Sequence, residues 1–307
     1  MGKKEKHSEA FLGRYRDFWW NPDFVDLMAK RWNLRRVLSV ADIGCGLGHW
    51  SRLLFRYLNP KAKLVGIDLE KDYVEKAAIN FKHDYPKIKK KQYSFITGNA
   101  TLIPLPSNSF DLVTCQTLLI HLKDPERALR EMIRVARPGG LIICSEPNNI
   151  FESLELNSIN HSKPVETLTK TFEYAIRYER GKMNLGEGYN SFGDLLPGIF
   201  AKVGLKDIKV YISDKAQPLF PPYRSKEQQI ILKQMEEWRE KGTGEWNREL
   251  YKRRILAGGG SDKFFNSMWR IFESDFKKFK EAIKRKEYFQ TGGMFLYLVS
   301  GVKNRIL

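Results

Sequence analysis

The strongest constraint on the fold lies at residues 37–48, VLSVADIGCGLG, a short apolar and β-branched run that ends on an acid and three closely spaced glycines. The stretch HWSRLLFRYL behind it is helix-compatible, so the segment reads as strand, tight glycine turn, helix. KLVGIDLE (63–70) is a second apolar strand, closing on Asp68, and 71–83 is helical by period. SFITGNA (94–100) and FDLVTCQT (110–117) read as a third and a fourth strand on either side of the turn-rich PLPSNS. DPERALREMIRVA (124–136) is an amphipathic helix, with Asp124 suited to the N-cap and Pro125 to the first position. ARPGG reads as its stop and LIICSEP (141–147) as a fifth strand. Strands and helices alternating at this spacing predict βαβ units around a parallel sheet, and strands apolar on both faces suit a covered one. Right-handed crossovers then bring the strand C-termini to one edge, where ligands of open α/β sheets bind.

The pattern changes after Pro147. Residues 151–191 form an insert with helical patches, and GDLLPGIFAKVGLKDIKVYIS (193–213) reads as a helix and a sixth strand. Residues 224–290 are charged, aromatic-rich and helical by period, with breaks at the glycines around 242–244 and 258–260. GGMFLYLVSGVK (292–303) is a terminal strand. The expected division is an N-terminal lid over 1–36, a core over 37–150, 192–213 and 291–307, an insert over 151–191 and a helical substrate cap over 214–290.

No apolar run approaches the ~20 residues of a membrane helix, and the charged start MGKKEKHSEAF does not read as a secretory signal. Three cysteines, Cys45, Cys115 and Cys144, are too few and too scattered for a disulfide framework or a metal site. They fit small core filler in a reducing, cytoplasmic setting. The formal net charge of +17 raises the question of an anionic partner, but the lysines are scattered apart from 87–91 and 277–286.

Asp42-Ile-Gly44-Cys-Gly46-Leu-Gly48 carries the first chemical signal. Glycine is needed where backbone turns sharply and approaches a ligand closely. The third glycine comes one residue too early for the dinucleotide fingerprint, and His49 stands where that fingerprint's last glycine would fall. Asp68, at the end of the next strand, can accept bonds from both ribose hydroxyls of an adenosine-containing ligand.

VADIGCGLG, GIDLE, GNATLIPLPSNSFDLVTCQTLLIHL and ARPGG-LIICSEP together resemble the class I S-adenosylmethionine-dependent methyltransferases, in the small-molecule-type branch. The likeness is close over about 37–150 and topological over 193–213 and 292–303. It implies a Rossmann-like α/β fold: a seven-stranded, mostly parallel sheet whose last strand is antiparallel, helices on both faces, and helical cap insertions. It implies S-adenosyl-L-methionine as cofactor. Asp42, Gly44 and Gly46 would line its methionine moiety, Asp68 would hold the ribose, and Leu69 would flank the adenine. Asn99 and Ala100 would meet the adenine edge. The position of Asn99 is often Asp in the family, and the amide oxygen of Asn can still accept from the adenine amine. Gln116 would lie beside the methionine, and Arg14 or Tyr15, in FLGRYRDFWWNPDF (11–24), could touch its carboxylate. That segment equally reads as an aromatic helix packed on the sheet edge.

Methyl transfer needs a nucleophile held in line with the methyl–sulfur bond, and a base only where that nucleophile must lose a proton. His121 is the candidate base, against a plain packing histidine. Glu146 and Asn148 also face the active edge, or serve the turn around Pro147. The expected partner is a small-molecule acceptor. An RNA or protein acceptor is the alternative, although the chain has Gln116-Thr-Leu-Leu where an N-P-P-aromatic motif would mark methylation of a base amine. An oxidoreductase or a non-catalytic cofactor-binding protein is the further contrast.

Overall fold

The computed structural model describes residues 9–12, 14–293 and 295–304. In chain order the elements are α1 (Pro22–Arg31), β1 (Ser39–Ile43), α2 (His49–Phe55), β2 (Lys63–Asp68), α3 (Lys71–Asp84), β3 (Tyr93–Thr97), β4 (Phe110–Gln116), α4 (Pro125–Val135) and β5 (Ala136–Pro147). There follow α5 (Val165–Asn184), α6 (Leu196–Lys202), β6 (Lys206–Ile212), β7 (Gln217–Leu219), α7 (Lys226–Lys241), α8 (Arg248–Ala257), α9 (Asp262–Arg285), β8 (Gln290–Gly292) and β9 (Leu296–Val302). They fall into two compact units: one holds 20–148, 191–214 and 296–307, the other 1–19, 149–190 and 215–295. The segment read as an N-terminal lid therefore divides at Trp19/Trp20, and both inserts belong to the second unit except for their end residues Ser191 and Asp214.

The first unit is built on a seven-stranded sheet of order β3-β2-β1-β4-β5-β9-β6. β1 to β5 are mutually parallel, and β9 runs antiparallel between β5 and β6. This is the Rossmann-like arrangement expected, with the terminal strand inserted where the resemblance puts it. Every residue of β4 is buried, as a central strand covered on both faces requires. α4 shows why the sequence folds locally as it does. The Asp124 carboxylate accepts the Arg127 N–H at 2.9 Å, and the helix buries Ala128, Leu129, Met132 and Val135 along one stripe. The aromatic stretch before β1 ends in α1, which buries Val25, Met28 and Ala29, and Trp20 packs on Trp50 with centroids 5.3 Å apart.

One boundary differs. ARPGG follows the end of α4 at Val135, as a helix stop should, but the fifth strand already begins at Ala136 and not at Leu141. Phe110 pairs with Ala136 but Leu112 with Leu141, so the extra residues leave the ladder as a bulge. Gly139, at φ +76°, makes that bulge and donates its N–H to the Lys303 carbonyl at 2.9 Å.

The second unit is helical, with the ribbon β7–β8 beside it. Ser225 opens α7 with a capping box to Gln228, and Gly242, at φ +62°, closes it. Ser261 caps α9, which buries Phe265, Met268, Trp269 and Phe279. The three cysteines are free and buried. Among the described residues no helix is long and apolar enough to cross a membrane.

Candidate functional site

The turn between β1 and α2 is held in left-handed backbone at Gly44 (φ +67°), Gly46 (+52°) and Gly48 (+80°). A Cβ on Gly44 would stand 2.6 Å from Leu118, so the turn packs directly on the loop that follows β4. The Cys45 N–H reaches the Ile67 carbonyl at 2.9 Å, and the Asn80 amide donates to the Leu47 carbonyl at 3.1 Å. Asp68 completes the grip. One carboxylate oxygen accepts the Gly46 N–H at 2.8 Å and the other accepts the Glu70 N–H at 3.0 Å. Each oxygen keeps a lone pair for a further donor. Burial raises the Asp68 pKa, against the pull of those two amides. Leu69, next along, leaves 64% of its surface exposed.

Asn99 and Ala100 follow β3, beside the end of β2, where Gly98 donates to the Asp68 carbonyl at 2.8 Å. The Asn99 side-chain oxygen already accepts both the backbone N–H and the hydroxyl of Thr101, each at 2.9 Å. Two donors fill its lone pairs, so this oxygen is engaged in a turn and not held ready for an adenine amine. Leu102, bridged to Asn99, is 70% exposed.

At the end of β4, Gln116 is buried and its amide nitrogen has no hydrogen-bond partner. Thr117 takes φ +50°, and a short turn over Leu119–His121 leaves His121 half-buried. Glu146, fully buried at the end of β5, holds this loop. One of its carboxylate oxygens accepts the Leu118 N–H at 3.0 Å and the Leu119 N–H at 2.8 Å. Burial pushes its pKa up to about 7, with those amides pulling the other way. Asn148 donates to the Asp194 carboxylate at 2.6 Å.

Asp42 is likewise fully buried and accepts the Ser51 hydroxyl. Burial raises its pKa to about 7; Ser51 opposes this and the charge of Asp68 adds to it. One oxygen of Asp42, one of Glu146, the Gln116 amide nitrogen and the Ser145 hydroxyl are all buried with no hydrogen-bond partner among the described residues. Such groups are costly unless something satisfies them. Orphaned polar atoms, a glycine cradle and the exposed Leu69 and Leu102 suit a ligand with charged, sugar and flat aromatic parts.

The first unit thus holds Asp42, Gly44, Gly46, Asp68, Leu69, Asn99, Ala100, Gln116 and His121. Tyr15 belongs to the second unit, where its hydroxyl donates to the Phe11 carbonyl at 2.8 Å and burial raises its pKa to about 12. The side chain of Arg14 lies outside the described residues. Sequence reasoning put Thr117–His121 beside the methionine end but missed the packing of Leu118 on the glycine turn, Ser51 under Asp42, and the exposed Leu102. Only Leu102 left a trace, as an apolar residue in a polar turn.

A family model described as "Methyltransferase domain" matches residues 35–192. A demethylmenaquinone methyltransferase of Lactococcus lactis is 34% identical over 112 residues, 36% of this chain and 43% of that protein. Its counterpart in Shouchella clausii is 28% identical over 191 residues, 59% of this chain and 76% of that one. The chain spans about half the length of most curated relatives it matches. A methyltransferase-titled crystal structure from Bacillus halodurans superposes with a TM-score of 0.51 at 17% identity, over 92% of this chain and 100% of that one, and shares the fold. Sheet order, glycine turn and family match agree, and this chain belongs to the methyltransferase-domain family, in its class I form.

Proposed function

We propose that the chain is an S-adenosylmethionine-dependent methyltransferase that passes a methyl group to a small-molecule acceptor. The observation that carries this reading is the Asp68 carboxylate, tied to Gly46 of the glycine turn with acceptor capacity left over on both oxygens. When bound, the cofactor supplies a methyl already activated on a sulfonium. The chain's residues bind and orient. Asp68 takes the ribose hydroxyls, and Leu69 and Leu102 cover a flat base. The adenine edge falls to the backbone at Asn99 and Ala100, since the Asn99 side-chain oxygen is engaged by Thr101. Gly44, Gly46 and Gln116 border the methionine end, and Asp42 adds a carboxylate whose ionised form a positive ligand favours. Glu146 fixes the loop carrying His121, which takes the acceptor's proton where the attacking atom bears one. The acceptor class of the relatives, demethylmenaquinone, agrees with a small molecule.

Calorimetry with S-adenosylhomocysteine tests the cofactor. Submillimolar binding is expected, with NAD inert; binding of NAD alone would overturn the reading. His121→Asn should lower turnover and leave S-adenosylhomocysteine affinity unchanged; unchanged turnover on an acceptor that must lose a proton removes the base.

A further inference from the structure

The second unit contains a cavity of about 400 Å³, large enough for a small organic ligand. Its walls include Tyr174, Trp246, Tyr251, Trp269, Phe272 and Phe276. These rings stand at steep angles. Trp246 meets Trp269 at 80° with centroids 5.7 Å apart and Phe276 at 67° and 5.0 Å, and Tyr174 meets Phe272 at 80° and 4.9 Å. Steeply crossed rings offer faces in several directions, and a ring face is where a cation is attracted. The chain already uses two of them so: the Arg239 guanidinium lies 4.4 Å from the Trp246 centroid and 6.0 Å from that of Phe276.

Three carboxylates join the aromatic wall: Glu152, Glu245 and Asp275. Asp275 is paired with Lys163. Glu152 and Glu245 make no ion pair among the described residues. Both line the cavity and keep exposed surface; the neighbouring protein still raises the pKa of each, that of Glu152 to about 8 with Glu245, Glu155 and Glu179 adding repulsion. An independent sign of a missing ligand comes from Tyr174, which lines the cavity, is 6% exposed, and has a hydroxyl with no hydrogen-bond partner among the described residues.

We propose that this cavity binds a compact organic cation, an amine or quaternary ammonium group, between its crossed aromatic rings and the unpaired Glu152 and Glu245. A metal ion is the poorer occupant: among the described residues no three His, Cys, Asp or Glu side chains are grouped to hold one. A neutral flat ring would fill the aromatic walls and leave both carboxylates without a partner of opposite charge. The cation relieves their repulsion and draws on the ring faces at once. The site does not depend on the methyltransferase reading, because its residues all lie in the second unit.

The test is calorimetry on the full chain with three probes: choline, its uncharged isostere 3,3-dimethyl-1-butanol, and 1-naphthol. Choline should bind saturably, and the isostere about tenfold or more weaker, the scale of a desolvated cation–π contact. Glu245→Gln and Glu152→Gln should each weaken choline about tenfold, with S-adenosylhomocysteine affinity and far-UV circular dichroism unchanged. Equal affinity for choline and its isostere, no choline binding, or binding of naphthol alone overturns the proposal. The comparison of choline with its isostere on the unsubstituted protein decides the matter even where a variant fails to fold. Failure of S-adenosylhomocysteine to bind would instead strike the methyltransferase reading.

Discussion

Single side chains decide whether the glycine turn is a ligand cradle or a mere bend. Asp68→Asn keeps an acceptor for the Gly46 N–H but removes the charge that strengthens bonds to a ribose. The expected cost is roughly tenfold to a hundredfold in S-adenosylhomocysteine affinity, read by calorimetry; an unchanged dissociation constant would remove Asp68 from the site. Gly44→Ala puts a methyl 2.6 Å from Leu118 on backbone at φ +67°. It should weaken the same ligand and lower the melting temperature, both visible in one thermal-shift titration. The tight turn at Gly44, Gly46 and Gly48 was legible from the sequence because three closely spaced glycines at a strand end point to left-handed backbone. The engagement of Asn99 by Thr101 was not, since an Asx turn and a ligand contact draw on the same residue type. The grip of Glu146 on Leu118 and Leu119 joins positions 27 and 28 residues apart, beyond any local pattern.

At the scale of elements, the strands and helices follow from apolar period and cap chemistry, and α4 with Asp124 and Pro125 stands as read. Asp124→Ala should destabilise the first unit by about 1 kcal/mol, the usual worth of an N-cap, as a shift in its urea midpoint; no shift would mean the 2.9 Å cap bond adds nothing. β5 shows the limit of local reading. Pro138, Gly139 and Gly140 spell a helix stop, yet the pairing of Phe110 with Ala136 and the bond from Gly139 to Lys303 draw them into the sheet. A bulge depends on partners far along the chain, and turn residues alone do not separate it from a loop.

For the molecule as a whole, the buried Asp42 and Glu146 link stability to pH. Both have folded-state pKa values raised to about 7 from ordinary values near 4, so the native state holds their protons more tightly than the unfolded chain. Their contribution is complete below about pH 4 and is lost as pH rises through about 7. Glu146→Gln carries no such proton, so its melting temperature should gain on the parent's between pH 5 and pH 8; parallel curves would refute the linkage. The backbone passes between the two units at 19/20, 148/149, 190/191, 214/215 and 295/296. Within the first unit those departures return close to where they leave. Ser213 donates to the Leu296 carbonyl at 2.9 Å, and Asn148 meets Asp194 at 2.6 Å. Short turns in place of 149–190 and 215–295 would thus turn β6 and β9 into an ordinary hairpin and close the sheet as a miniature protein. The helical body thus enters the chain between 148 and 191 and between 214 and 296, outside every ladder of the seven-stranded sheet.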